Sequence, residues 1–259
     1  MSQQQFTPPS PRDRVAAARA AEQRSRLVRN GVIAAVVTVV IGLVAAIGIA
    51  VLVTDHNKPK HNSATAAAVP AHADGTVIVY GNPKATATLD VYEDFRCPVC
   101  GALERTDGKK IQELADNGTY KIRYHMGTFL DGNLGGSGSA DALAAAGAVL
   151  NQGTAQFKAF HDLLYANQPA EETTDAFADA NTLAALAAKV PGLNQQAYAA
   201  AVKAGTYKNW AADVSAAFDS SGVTGTPTLA LNGKQLNVFS NQGPISPTAF
   251  EQLVKQTIG

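Results

Sequence analysis

The sequence predicts an α/β domain built on a strand–helix–strand unit, with a long helical insertion and one membrane-spanning helix ahead of it. Three observations carry that reading. A β-rich segment runs straight into Cys97-Pro98-Val99-Cys100, an Ala-rich helical stretch covers about residues 135–222, and strand and turn signals return from Thr226 onward.

Residues 1–30 hold six arginines against Asp13 and Glu22, a net charge of +4, in a Gln- and Pro-containing context. They read as a cytoplasmic disordered basic tail whose charge either sets topology or touches anionic lipid. Gly31 to Val53 follows, 23 residues without a charge. About 20 apolar residues cross the hydrocarbon core, so 31–53 is expected to span the membrane with some tilt. A cleaved signal peptide competes, with Ala71-His72-Ala73 as a small-x-small site. The apolar run is longer than the usual signal core of about 7–15 residues, which favours an uncleaved anchor. The arginines precede the span, so the N-terminus is expected in the cytoplasm and the remainder outside. Residues 54–74 have no apolar periodicity and read as a linker.

The globular part occupies 75–259. From Asp74 onward, 13 Lys and Arg face 18 Asp and Glu, and this acidic balance gives no footprint for nucleic acid. Thr76–Tyr80 predicts a strand ended by Gly81-Asn82-Pro83, and Thr86–Phe95 a second strand leading into the cysteines. A helix is expected from Pro98 to about Asn117-Gly118, with Gly108 marking a break or kink, and Tyr120–Phe129 predicts a third strand. Strand, helix and strand in that order form a parallel right-handed unit with the cysteines at a strand's carboxyl end.

From Ser137 to about Ser221, apolar residues at helical spacing predict about five helices packed as a cap. Breaks fall at Asn151-Gln152-Gly153, Asn167-Gln168-Pro169, Pro191-Gly192 and Gly205. Tyr207 and Trp210 are expected in the core. Thr226–Leu231 then reads as a strand, Asn232-Gly233 as a tight turn and Gln235–Phe239 as the partner strand. Ser246-Pro247 starts a closing helix with Phe250, Leu253, Val254 and Ile258 on one face.

Cys97 and Cys100 are the only cysteines in the chain. At the head of a helix they lie on one face, within disulfide reach, and Pro98 suits a first helical position. Free N–H groups and the helix dipole favour a Cys97 thiolate, making Cys97 the nucleophile and Cys100 the resolving thiol. Half a zinc site and a structural disulfide compete with this reading. Tetrahedral zinc needs four ligands, and there is no second Cys pair. A disulfide closing so short a loop removes little unfolded-state entropy. No metal is expected.

Tyr92-Glu93-Asp94-Phe95-Arg96-Cys97-Pro98-Val99-Cys100, the helical insertion and Gly225-Thr226-Pro227-Thr228 together resemble the DsbA-like branch of the thioredoxin superfamily, over roughly residues 75–259. The resemblance implies a thioredoxin-like fold and a cis peptide before Pro227, lying against the cysteines, with Thr226 offering backbone groups to an extended substrate. It implies thiol-disulfide oxidoreductase activity on secreted or envelope proteins, no cofactor, and a quinone-linked membrane partner that recycles the pair. Familiar members carry a histidine where this chain has Val99, which donates no hydrogen bond to a thiolate. They also often carry an acid six residues before the first cysteine, where this chain has Val91. Asp94 matches an acid seen three residues before that cysteine, either as a helix cap or as a proton relay, with the cap preferred. The competing functions are a reductase or isomerase, and a tethered chaperone with a vestigial Cys pair. His125 is expected to be a packed or exposed strand residue without a catalytic role.

Overall fold

Strict alternation along two strands sets the centre of the sheet. In the computed structural model, which describes residues 67–259, β3 (Thr88–Glu93) and β4 (Lys121–Met126) bury every second residue. They pair in parallel, with Val91 opposite Tyr124 and Glu93 opposite Met126. The expected basic tail and membrane span at 31–53 lie outside the described residues. Among the described residues no helix is long and apolar enough to cross a membrane.

β1 (Ala73–Asp74) and β2 (Val77–Gly81) extend the sheet antiparallel beyond β4, while β5 (Thr228–Leu231) and β6 (Lys234–Gln235) extend it antiparallel beyond β3. The turn between β5 and β6 places Asn232 and Gly233 at φ 50° and 79°, the paired positive values that a two-residue hairpin requires and that Asn-Gly tolerates. Asn232 also locks the hairpin to β3, its N–H donating to the Thr88 carbonyl and its Oδ1 accepting from the Thr88 N–H. The expected partner strand Gln235–Phe239 is shorter than its β pattern suggested. The ladder to β5 ends with the Leu236 N–H donating to the Leu229 carbonyl, and β7 (Phe239–Ser240) pairs instead with β8 (Gly243–Pro244).

α1 (Pro98–Asp116) crosses from β3 to β4 without the interruption expected at Gly108. That glycine answers a packing need. A Cβ there would stand 2.5 Å from Glu104 Oε2, so the missing side chain makes room for Glu104 one turn earlier. The third strand stops at Met126, short of Phe129, because Phe129 already belongs to a short helix, α2 (Phe129–Leu134).

Five longer helices follow, as expected: α3 (Gly138–Leu150), α4 (Thr154–Ala166), α5 (Ala180–Ala187), α6 (Gln195–Lys203) and α7 (Lys208–Asp219), with a single 3₁₀ turn at Ala176–Ala178. They do not form a detached lid. On one sheet face, Tyr124 of β4 packs its ring against Phe157 and His161 of α4. Through alternate residues, Tyr92 stacks on His125 and meets Phe218 of α7. Trp210 is buried and donates its indole N–H to the Gly75 carbonyl at 2.9 Å. Gly147 permits that packing, since a Cβ would come within 3.0 Å of both Trp210 and Tyr207. The closing helix α8 (Pro247–Ile258) is capped by Ser246, whose hydroxyl accepts from the Ala249 N–H, and buries Phe250 and Val254.

Candidate active site

Where β3 ends, the chain makes one tight turn through Asp94, Phe95 and Arg96 before α1 begins, and the Cys97 N–H donates to the Asp94 carbonyl at 2.9 Å. Cys97 is the N-cap residue itself, with extended backbone, and its Sγ accepts from the Cys100 N–H at 3.5 Å. Pro98 takes the first helical position, where no N–H is required. Cys100 lies one turn in, fully buried, and both cysteines are free thiols. Val99, between them, is 45% exposed and flanks the pair at the surface.

The Thr226–Pro227 peptide is cis, and the Cys97 thiol donates to the Thr226 carbonyl at 3.5 Å. Residues 129 positions apart thus bring the two halves of the expected site together. The cysteine environments are opposed. Cys97 is lowered to about 7, first by a hydrogen bond from the Cys100 thiol, against the effect of burial, with Thr226 and the N–H groups of Cys100 and Val99 adding to it. Cys100 is raised well above its ordinary value, first by burial and then by its bond to Cys97 and the charge of Glu93. An acidic thiol that keeps a sliver of exposure beside a suppressed, fully buried one is the division that a nucleophile and a resolving thiol need.

Asp94 does not cap α1. Its Oδ1 accepts from the Arg96 N–H and the Ser139 hydroxyl, and its Oδ2 accepts from the Leu130 N–H. Cys97 occupies the cap position, so Asp94 is left to stitch the turn to the starts of α2 and α3. Burial pushes its carboxyl up to about 6 against those three donors. His125 bonds Asp90 at 2.9 Å and stacks on Tyr92, a packed strand residue as expected.

Several residues to which the sequence reading gave no role hold the site. Arg96, buried directly before Cys97, reaches into the insertion. Its guanidinium contacts Asp131 at 2.9 Å, Asp175 at 3.4 Å and the Gly135 carbonyl at 2.8 Å. Gln168, just past α4, donates its amide to the carbonyls of Phe95 and Cys97. Beneath the pair, Glu93 and His161 are both fully buried and bonded at 3.0 Å. One sequence signal pointed to them: Lys158 and His161 fall among Phe157, Phe160 and Leu164, so a charge and an imidazole interrupt an apolar helix face. Glu93, Glu104 and His161 also bring ligand atoms within 4.8 Å of one another. Glu93 faces the Nε2 edge of the imidazole and Glu104 the Nδ1 edge, an arrangement that divides the carboxylates between two nitrogens and does not cage one ion.

The Thioredoxin_4 family model, described as thioredoxin, matches residues 73–256. Among solved structures, the chain is similar to the reduced form of the disulfide bond oxidoreductase DsbG from Mycobacterium tuberculosis, with 27% identity, 72% of this chain and 88% of that one covered, and a TM-score of 0.57. It is similar to reduced DsbA from the same organism at 26% identity, over 71% and 93% of the two chains, with a TM-score of 0.58. MdbA, a thiol-disulfide oxidoreductase from Actinomyces oris, shares the fold at 24% identity, over 73% and 89%, with a TM-score of 0.61. No curated protein sequence matches. The chain belongs to the Thioredoxin_4 family, in the DsbA-like group whose solved members are thiol-disulfide oxidoreductases.

Proposed function

We propose that this protein is a membrane-anchored oxidoreductase that works outside the cytoplasm and introduces disulfides into secreted or envelope proteins. The observation that carries the exchange chemistry is the Cys97 thiol, at a helix cap, 3.5 Å from the Thr226 carbonyl beside the cis peptide. In the oxidising direction a substrate thiolate attacks Cys97 of the Cys97–Cys100 disulfide and Cys100 leaves as a thiolate. A second substrate thiol then attacks the mixed disulfide, releasing oxidised substrate and reduced enzyme. The carbonyl of Thr226 and the exposed Val99 offer an extended chain one backbone acceptor and one apolar contact next to the reacting sulfur. A membrane partner returns the electrons onward, and the 31–53 span keeps the domain near it.

One observation favours the opposite direction. Cys97 at about 7 sits where thioredoxin's reactive cysteine lies, not at the value of about 3.5 belonging to the strong oxidant DsbA. A reductase of envelope disulfides is therefore the second reading. The deciding measurement is the reduction potential of the full chain in detergent, together with oxidation of a reduced, unfolded substrate. A potential near about −120 mV marks an oxidase and one near about −270 mV a reductase. Cys97→Ser is expected to abolish exchange in both directions, and retained exchange would refute the assignment.

A further inference from the structure

Well-packed interiors leave few voids larger than a water molecule. Yet α3, α5, α6 and the start of α7 meet around a cavity of about 220 Å³. Small side chains open it. Ala144 and Ala145 come from α3, Ala180 from α5 and Ala201 from α6, while Leu183 and Val202 complete an apolar wall. The space exceeds the roughly 150 Å³ that takes up benzene, so one ring with a short chain fits.

The mouth is polar, and its hydrogen-bonding capacity is one-sided. Asp141 has both carboxylate oxygens engaged, Oδ2 accepting from the Ser137 hydroxyl at 2.7 Å and Oδ1 facing Lys208 Nζ at 3.3 Å. Lys208 carries three N–H donors, its side chain is 65% exposed, and Asp141 is its only charged partner among the described residues. Tyr207 lines the same cavity and is 8% exposed, yet its hydroxyl has no hydrogen-bond partner among the described residues. Burial raises its phenol, so the hydroxyl keeps its proton at neutral pH and remains a donor. Thr206 brings a second hydroxyl to the lining. Tyr207 is also the N-cap of α7 and makes no side-chain cap bond, which leaves the positive end of that helix uncompensated beside Lys208. Donors are in excess here, and the one carboxylate is already occupied. The complement that the mouth lacks is an anionic acceptor.

We propose that this cavity binds a small carboxylic acid with an apolar body, an aryl or short alkyl carboxylate, taken up as the anion. The body packs against Leu183 and Val202, and the carboxylate accepts from Lys208 and the Tyr207 hydroxyl. A neutral hydrocarbon fills the wall but leaves that buried hydroxyl without a partner, which is costly. An amine meets only Asp141, whose oxygens are spoken for, and is repelled by Lys208. The site uses neither cysteine, so it stands independently of the thiol-exchange reading.

The test is calorimetric titration of the full chain in lipid nanodiscs with hydrocinnamate, its amide and phenylpropylamine, with empty nanodiscs as the blank. Hydrocinnamate is expected to bind saturably, one per chain, with the amide about tenfold weaker because it loses the charge-assisted bonds. Lys208→Gln is expected to weaken hydrocinnamate about tenfold and Tyr207→Phe about fivefold, each leaving the rate of Cys97 alkylation unchanged. Ala144→Leu, which fills the space, is expected to abolish binding. Should a variant not fold, the three ligands on the unaltered protein still decide. Absence of saturable binding overturns the site, and so does hydrocinnamate binding that Lys208→Gln and Ala144→Leu both leave unchanged. Equal affinity for the amide, or tighter binding of the amine, overturns the carboxylate assignment.

Discussion

Gln168 donates its side-chain amide to the carbonyl of Cys97 at 2.8 Å, from 71 residues further along the chain. The same nitrogen serves the Phe95 carbonyl at 2.9 Å. The turn carrying the nucleophile is thus held by the segment just past α4, and Gly101 leaves the space that the Gln168 side chain fills, since a Cβ there would stand 2.0 Å from its Oε1.

Gln168→Leu keeps the bulk and removes both donors. Leaving two carbonyls short of partners is expected to cost about 1–3 kcal/mol. Urea unfolding should show that loss, and iodoacetamide should show a slower or less uniform reaction at Cys97.

Arg96→Leu is expected to be more damaging. Removing one partner of a buried ion pair costs about 3–5 kcal/mol because the other charge is left uncompensated, here Asp131 foremost. Arg96→Lys keeps the charge but cannot span Asp131, Asp175 and the Gly135 carbonyl at once, and its urea midpoint should fall between the two.

Alkylation of reduced protein by iodoacetamide should follow a thiolate midpoint near pH 7. The leading cause of that depression is the bond from Cys100. Cys100→Ala is therefore expected to move the midpoint upward, and Val99→His to move it downward by adding a donor. A midpoint unchanged by Cys100→Ala would contradict the assigned cause.

Stability is expected to decline as pH rises through the range from about 4 to 7. Burial raises Glu93 from 4.5 to about 7, and Asp94 and Asp107 from 3.8 to about 6. In this window the folded state holds protons that the unfolded state has released, so the gradient of unfolding free energy with pH is negative. His161, raised from 6.5 to about 9, continues the same trend at higher pH. Lowered carboxyls such as Asp162 contribute in the opposite sense, but only as pH falls toward their range. Thermal unfolding of the reduced protein should thus give a higher midpoint at pH 5 than at pH 7.5, with a shallower slope in Glu93→Gln.

The parts of the fold legible in the sequence are those written locally. Period-two alternation marks β3 and β4, Asn232-Gly233 marks the hairpin, and Ser246-Pro247 marks the start of α8. The cysteine pair and its helix follow from spacing and one proline. What escaped reading depends on neighbours distant in sequence. Gly108 looks like a helix breaker until Glu104 is seen to need its space. Asp94 looks like a cap until Ser139 and Leu130 arrive beside it. The strand that stops short after Gln235 gives way to pairing of Phe239–Ser240 with Gly243–Pro244, which no local propensity announces. The Glu93–His161 contact spans 68 positions, and only the polar interruption of α4 hinted at it.

The reach of Arg96 into the insertion limits how this protein can be recombined. The residue adjoining the nucleophile takes its counter-charges from Asp131, before α3, and Asp175, after α4, so the two regions form one inheritable unit. A chimera that imports a foreign segment over 129–175 would bring a different set of acids to an unchanged arginine. Grafting the nine-residue motif Tyr92–Cys100 onto another scaffold would strand the arginine in the same way. Loops elsewhere, such as the one before Thr226, are free of that dependency and are the better places to redesign.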